Sequence, residues 1–600
     1  MREFACNATF GIGDDESIVR SVFTQAEQHP ARVLFSRPVG TGWQDVTAAG
    51  FAELVTGVAK GLIAEGVAPG DRVILLAATR FEWTLLDFAI WAAGAVTVPI
   101  YDSSSSDQVH WIASDSAAVL AVVETGDHAA LFDRTDLPEA LHKIVTIDDG
   151  AVDALVAAGV GVPEADLTAR LDGVRADAPA SLVYTSGTTG RPKGCVLTHR
   201  NFLAEVRGIL TSSIGRTAAY PGRRILTFLP LAHVLARAVS LAAFEAGATQ
   251  AHWSDFKTIT GQFARFAPHT ILGVPRVFEK VRDAAAKQAE TGGAAKARIF
   301  AFAERTAIRY SQAQDGPRSV PVGLKLQHTL CDRLVYAKLR AALGGSCEVT
   351  ISGGGALADR IGHFFRGLGV PIYEGYGLTE TTAAHCVNMP GAQRIGTVGR
   401  PLGGNSVRIA EDGEIELGGG VVFGGYWNNE AATADALYDG WLRTGDLGRL
   451  DEDGYLRITG RKKDLLITAG GKNVAPGPME DRLRSHTLVS QAVVVGDGRP
   501  FIGALLTVDP ETFDDWKSAH GKAADATIAH LRADADLLSE LQLAVEDANS
   551  GVSHAESIKK FVVLERDLTE ESGELTPTLK VKRHVVAERF ADEIDGLYVR

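Results

Sequence analysis

YTSGTTGRPKG, residues Tyr184 to Gly194, packs three glycines, four Ser or Thr hydroxyls, one Arg and one Lys into eleven positions. The apolar run before it, SLVYT (Ser181 to Thr185), reads as a strand. After it, NFLAEVRGIL places Phe202, Val206, Ile209 and Leu210 at helical spacing. A glycine-rich turn between a strand and a helix favours anions, because backbone N–H groups converge there. A flexible surface turn has a similar composition; the flanking elements and Lys193 tip the reading toward phosphate. The spacing is GxxGxxKG, not the GxxxxGK[ST] of nucleoside triphosphatases, so γ-phosphoryl transfer is not the predicted chemistry.

Outward from this loop, helix-like and strand-like segments alternate through the first third of the chain. FAELVTGVAKGLIAEG carries Phe51, Leu54, Val55, Val58 and Leu62 on one helical face, and VILLAA (Val73 to Ala78) reads as a buried strand. Such alternation predicts an α/β fold, with parallel or mixed sheets flanked by helices. From about Glu411, EDGEIEL, EDGYLRITG and DLLITAGG predict short strands joined by Asp-Gly and Gly-Gly turns. The expectation is a large N-terminal domain over 1–462 and a small α+β domain over 463–600, with the boundary at GRKKD (Gly460 to Asp464). SSSS (Ser103 to Ser106) reads as a solvated turn.

With 600 residues, 46% hydrophobic and 22% charged, the composition is that of a soluble globular enzyme of two or more domains. A net charge of −14 argues against a nucleic-acid partner. Five scattered cysteines, without a CxxC pair, predict a reduced intracellular protein with neither disulfides nor structural zinc. Cys386 beside His385 reads as packing. The N-terminus lacks the apolar core of a secretory signal. The most apolar window, Thr84 to Ile100, is shorter than a bilayer span and is interrupted by Asp87. A cytoplasmic chain without a transmembrane segment is expected, with peripheral membrane contact left open.

Three further stretches carry candidate chemistry. YEGYGLTE (Tyr373 to Glu380) follows LGVPIY, a predicted strand, and so sits where open parallel sheets bind ligands. There Glu380 is either a Mg²⁺ ligand or a carboxylate at a helix N-terminus, and Tyr376 offers a flat face to a base. Just upstream, SGGGAL (Ser352 to Leu357) lets a ligand approach the backbone. In WLRTGDLG, Asp446 is either an acceptor for two ribose hydroxyls or a turn Asp. Lys580 in LTPTLKVKR belongs, taken alone, to a basic surface run. No Ser/His/Asp or Cys/His nucleophile is apparent.

Together, YTSGTTGRPKG, YGLTE, RTGDLG and GRKKD, in that order, resemble the adenylate-forming (AMP-binding) superfamily over roughly residues 45 to 585. FLPLAHVLAR (Phe228 to Arg237), GVPRVFEKV (Gly273 to Val281), GGKNVAP (Gly470 to Pro476) and LTPTLK make the chain most similar to long-chain fatty acyl-CoA synthetases of the actinobacterial type.

The resemblance implies that Thr185, Ser186, Gly187, Thr188, Thr189, Gly190 and Lys193 hold the ATP β- and γ-phosphates. It implies that Gly353, Gly354, Gly355, Glu374, Gly375, Tyr376 and Gly377 line the adenine, while Thr379 and Glu380 meet phosphate and Mg²⁺. Asp446 and Arg461 would grip the ribose, and His233 would lie beside the acyl pocket. Lys580 would reach the reacting carboxylate and α-phosphate, with Thr185 and Glu380 beside it in catalysis. Lys463 matches the hinge position, and Gly470, Gly471 and Lys472 would face CoA.

The implied reaction converts a long-chain fatty acid and ATP to acyl-AMP and pyrophosphate, then passes the acyl group to CoA. A ligase loading a carrier protein is the alternative acceptor. A carboxylic acid with a pKa near 4 to 5 is already ionised at neutral pH, so the first step needs positive charge rather than a base.

Overall fold

The computed structural model describes residues 2–40, 42–133, 137–185, 191–576 and 580–599, and the descriptions below refer to these. The chain divides into two compact units. The first comprises Met1–Arg408, Glu416–Arg443 and Leu450–Leu456; the second comprises Ile409–Ile415, Thr444–Arg449 and Arg457–Arg600.

In the first unit SLVYT ends strand Pro179–Thr185 of a six-stranded sheet. The order is Lys143–Thr146, Leu120–Val123, Arg72–Leu76, Val96–Ile100, Pro179–Thr185, Lys193–Thr198. All neighbours are parallel except the last pair. Val73 to Leu76 and Leu120 to Val123 are fully buried, as continuous apolar runs require when both faces of a sheet are covered.

Helix Phe81–Ala92 is buried all round. Its one fully buried charge, Asp87, receives Arg237 through two nitrogens (2.8 and 2.5 Å) and Thr97 Oγ1 (2.8 Å). A carboxylate inside an apolar helix is tolerated because a guanidinium fork satisfies both its oxygens.

A nine-stranded sheet follows the order Arg400–Pro401, Cys386–Val387, Ile372–Tyr376, Val349–Ser352, Thr270–Gly273, Arg224–Thr227, Thr249–His252, Val33–Val39, Gly42–Thr47. The six strands from Ile372–Tyr376 to Val33–Val39 run parallel. SGGGAL, YEGYGLTE, FLPLAH and GVPRVFEKV therefore all leave the C-terminal ends of four neighbouring strands.

The second unit has its own core. Val489–Val495 pairs antiparallel with Ile502–Val508, which runs parallel to Ile558–Val563. Alternate residues face opposite sides: Val494, Ala504 and Leu506 pack with Met479, Leu483 and Leu541, whereas Val493 and Leu505 pack with Leu575 and Val586.

Three local expectations are corrected. The glycine-rich loop connects two antiparallel strands, Thr185 opposite Lys193, and the helix His199–Thr211 begins only after the second strand. CVLT alternates buried and less buried residues and completes the sheet edge, so Lys193 opens a strand rather than a helix. SSSS is not a solvated turn: Ser104 is buried, and Ser105 caps helix Ser106–Ser116 through a capping box with Gln108. Asp446 lies within strand Trp441–Leu450 rather than in a turn; the preceding Gly445, at φ +71°, supplies the local kink.

Candidate functional site

The Gly353 to Gly355 turn and Glu374 come together because Ser352 and Glu374 face each other across two parallel strands. The buried Glu374 carboxylate accepts the Leu357 N–H (3.0 Å), which ties the end of the glycine turn to the neighbouring strand. Gly353 and Gly354 each resist a side chain, the first by proximity to Leu235 and the second by its backbone angle. A Cβ on Gly353 would lie 2.9 Å from Leu235 Cδ2, and Gly354 adopts φ +78°. Leu235 lies in the first turn of helix Val234–Glu245, which His233 caps by accepting the Leu235 N–H at Nδ1 (3.2 Å). In the neutral ring the proton is then on Nε2. A Cβ on Gly355 would lie 3.7 Å from Pro275 Cγ, so His233, the glycine turn and GVPRVFEKV meet at one edge.

Beyond Tyr376 the chain bends sharply back, with the His385 N–H donating to the Tyr376 carbonyl (2.8 Å). Gly375 pairs with Val387. A Cβ on Gly377 would sit 1.6 Å from the Ala383 carbonyl oxygen, so only glycine fits. Thr379–Thr381 is a single 3₁₀ turn, too short for the helix-terminal reading of Glu380.

Glu380 is instead gripped by a residue that sequence reading did not single out. Tyr426 Oη donates to Glu380 Oε1 (2.8 Å), and the Phe423 N–H donates to the Glu380 carbonyl (2.9 Å). Tyr426 also bridges Cys195, and the Lys193 ammonium lies 5.1 Å from the Tyr426 ring centroid. Tyr426 thus joins the far end of the glycine-rich loop to YGLTE. Burial, followed by the Glu380 charge, raises its phenol well above the ordinary range, so it remains a donor. Thr185 sits at the strand end opposite Lys193; Ser186, Gly187, Thr188, Thr189 and Gly190 lie outside the described residues.

Among the described residues no group of three His, Cys, Asp or Glu could hold a metal ion. His385 and Cys386 are buried, and burial lowers the His385 pKa to about 4, consistent with packing. A magnesium ion arriving with a nucleotide needs only one or two carboxylates beside phosphate oxygens and waters, and the half-buried Glu380 fits that donor set.

In the second unit, Asp446 is 4% exposed and receives Arg461 Nε (2.8 Å). The Thr444 hydroxyl accepts the Asp446 N–H (3.0 Å), and Glu414 accepts that of Gly445 (2.8 Å), fixing the Asp446 backbone. Lys463 is exposed in the 3₁₀ turn Lys462–Asp464. Gly470, Gly471 and Lys472 form the turn between Leu466–Ile467 and Asn473–Val474, with Gly471 at φ +75° and Lys472 paired to Glu556 (3.2 Å).

Lys580 is tied to Thr576. Its carbonyl accepts the Thr576 N–H (2.8 Å), its N–H donates to Thr576 Oγ1 (3.0 Å), and Leu575 bridges Val581. At the base, the Glu574 side chain is fully buried and receives Arg566 (2.8 and 2.5 Å), Arg589 (2.8 Å) and the Ser572 hydroxyl (2.6 Å). Burial alone would raise its pKa, but those donors hold it down to about 2. Glu574 is therefore a charged anchor beside the Leu575–Val581 bridge that precedes Lys582.

A strand edge lined by a glycine turn, a bent YGLTE segment and a carboxylate–tyrosine–lysine cluster suits a nucleotide with its phosphates. The AMP-binding enzyme profile matches residues 22–427 and the AMP-binding enzyme C-terminal domain profile matches 463–600; the chain belongs to this adenylate-forming family. It is 51% identical over 604 residues to the long-chain-fatty-acid–CoA ligase FadD15 of Mycobacterium bovis, covering 100% of both chains. It is 30% identical to the human long-chain-fatty-acid–CoA ligase ACSBG1, covering 93% of this chain and 82% of that one. Its fold matches the crystal structure of the anthranilate CoA ligase AuaEII in complex with anthranoyl-AMP. There the TM-score is 0.71 at 18% identity, over 96% of this chain and 98% of that chain.

Proposed function

We infer that this chain is an AMP-forming long-chain fatty acid–CoA ligase. The observation that carries this reading is 51% identity, across 100% of both chains, to a relative of that name. The site supports it by what it contains. The glycine turn, Glu380 held by Tyr426, and Lys193 on the Tyr426 ring suit a nucleotide with its phosphates, and the reaction needs no nucleophilic side chain because the fatty acid carboxylate is the nucleophile.

In the first half-reaction that carboxylate attacks the ATP α-phosphorus and pyrophosphate leaves. The glycine turn and the Glu374 to Gly377 backbone receive the adenine. Asp446, oriented by Arg461, accepts the ribose hydroxyls. Lys193 and the loop from Thr185 hold the departing β- and γ-phosphates. Thr379 would meet phosphate, and Glu380, held by Tyr426, would hold the magnesium that accompanies ATP, which would supply charge neutralisation to the phosphates. Lys580 supplies the positive charge that brings two anions together. His233 borders the acyl group. In the second half-reaction the CoA thiolate attacks the acyl carbonyl and AMP leaves; Gly470 to Lys472 serve this step, with Lys463 as the hinge. A substrate pair of ATP and CoA puts this work in the cytoplasm.

The acceptor is tested by supplying ATP and palmitate with either CoA or a holo acyl carrier protein. Thioester with CoA and none with the carrier is expected; the reverse would overturn the assignment. Lys580→Ala should lower pyrophosphate exchange by about a hundredfold or more while sparing thioester formation from supplied acyl-AMP. Near-normal exchange would remove Lys580 from the mechanism.

A further inference from the structure

We propose that the helical hairpin formed by Ala294–Asp315 and Val322–Cys331 docks the first unit onto an anionic lipid bilayer. The two helices are neighbours: the Tyr310 and His328 rings stack at 3.9 Å, and Tyr336, just beyond the second helix, donates its Oη to the Ala303 carbonyl (2.7 Å). Phe300, Ala303, Ala307, Leu324 and Cys331 turn inward and are buried.

Among its polar residues the outward side carries an apolar row that a fully solvated helix does not present. Val322, Leu326 and Leu330, one turn apart, are 73%, 68% and 56% exposed, and Leu334 continues the row at 46%. On the neighbouring helix Phe302 is 40% exposed. A continuous aliphatic row of this kind marks a surface that something covers.

Charge identifies the occupant. Residues 294–340 hold nine Lys and Arg against three Asp and Glu, a net of +6 in a chain of −14. The three acids are turned to internal partners: Glu304 to Arg282 and Arg360, Asp315 to Arg366, Asp332 to Arg340. Arg298, Arg305 and Arg309 are exposed and share the helical face of Phe302; Lys325, Arg333 and Lys338 are exposed along the Leu326 row. Aliphatic side chains fringed by long cationic ones suit the boundary between headgroups and acyl chains, where the stems lie along the apolar layer and the charges meet anionic phosphates.

A second copy of this chain would oppose +6 with +6. Single-stranded nucleic acid calls for stacking aromatics, whereas this row is aliphatic. The docking depends on neither the substrate nor the catalytic residues assigned above.

The test is sedimentation of the full chain with vesicles of phosphatidylcholine alone or with on the order of 30% phosphatidylglycerol, with and without added salt. Binding to the anionic vesicles only, weakened by salt, is expected. Two variants, Leu326→Glu/Leu330→Glu and Arg298→Glu/Arg305→Glu, should each bind about tenfold or more weakly, since a basic contact near a charged bilayer is worth roughly fivefold. Both should retain the wild-type unfolding midpoint and wild-type acyl-CoA synthesis from acid supplied on albumin. Failure of the wild type to bind anionic vesicles overturns the proposal, as does undiminished binding by both variants. So does a wild-type dimer that the variants convert to monomer, which would make this face an interface between copies.

Discussion

Replacing Tyr426 with Phe removes one oxygen and keeps the ring, which packs 4.8 Å from the Phe423 centroid and carries the Lys193 ammonium on its face. The lost interaction is the 2.8 Å hydrogen bond to Glu380 Oε1. A hydrogen bond to a charged group contributes about 1.5 to 3 kcal/mol, equivalent to roughly 10- to 150-fold in rate if it is felt fully in the transition state. Glu380 is assigned to the phosphate end of ATP, so the loss should fall on adenylation. Palmitate-dependent ATP–pyrophosphate exchange should drop by about tenfold or more. Thioester formation from synthetic palmitoyl-AMP and CoA should stay within about twofold of wild type, since that step releases AMP and holds no pyrophosphate. Exchange that is unchanged, or both half-reactions reduced equally, would refute the coupling of Tyr426 and Glu380 to the first step.

Gly377→Ala places a Cβ 1.6 Å from the Ala383 oxygen and must displace YGLTE; adenylation should fall about a hundredfold, measured by exchange, with far-UV circular dichroism unchanged. Asp87→Ala strands the buried Arg237 guanidinium and should destabilise the first unit by about 3 to 5 kcal/mol in denaturant, whereas Asp87→Leu/Arg237→Met should recover most of that loss. Burial pushes the Glu205 carboxyl from 4.5 up to about 8, against a single hydrogen bond from the Ala384 N–H (2.8 Å). Folding therefore favours the protonated acid: its contribution is full below pH 4.5 and is lost as the pH rises toward about 8. Glu205→Gln abolishes this loss, so between about pH 5.5 and 8.5 the variant should gain ~3 kcal/mol relative to wild type, read from unfolding midpoints; a pH-independent difference would contradict the assigned burial.

The sequence made the α/β layers legible because buried parallel strands are continuous apolar runs and their connecting helices keep one apolar face. The order of glycine-rich loop, YGLTE, RTGDLG and GRKKD made the family legible, since each segment is short and chemically unusual. Features that depend on distant partners were harder to read. Lys193–Thr198 looked like the approach to a helix because its partner strand lies before the loop. Gly445 before Asp446 has the composition of a turn, but here it kinks a strand. Tyr426 reaches Glu380 across 46 positions, and Asp87 finds Arg237 across 150, so neither pairing has a local pattern. Glu574 reads as one more acid in a charged tail until Arg566, Arg589 and Ser572 close around it.

The central claim is activation of a long-chain acid at the α-phosphate, followed by capture with CoA. It is tested most directly by incubating the chain with ATP labelled at the α- and γ-positions, CoA and a series of acids from acetate to arachidate. AMP, pyrophosphate and acyl-CoA should appear in equal amounts, fastest with the long-chain acids. ADP and phosphate as products, or AMP formation that is greatest with acetate, would contradict it.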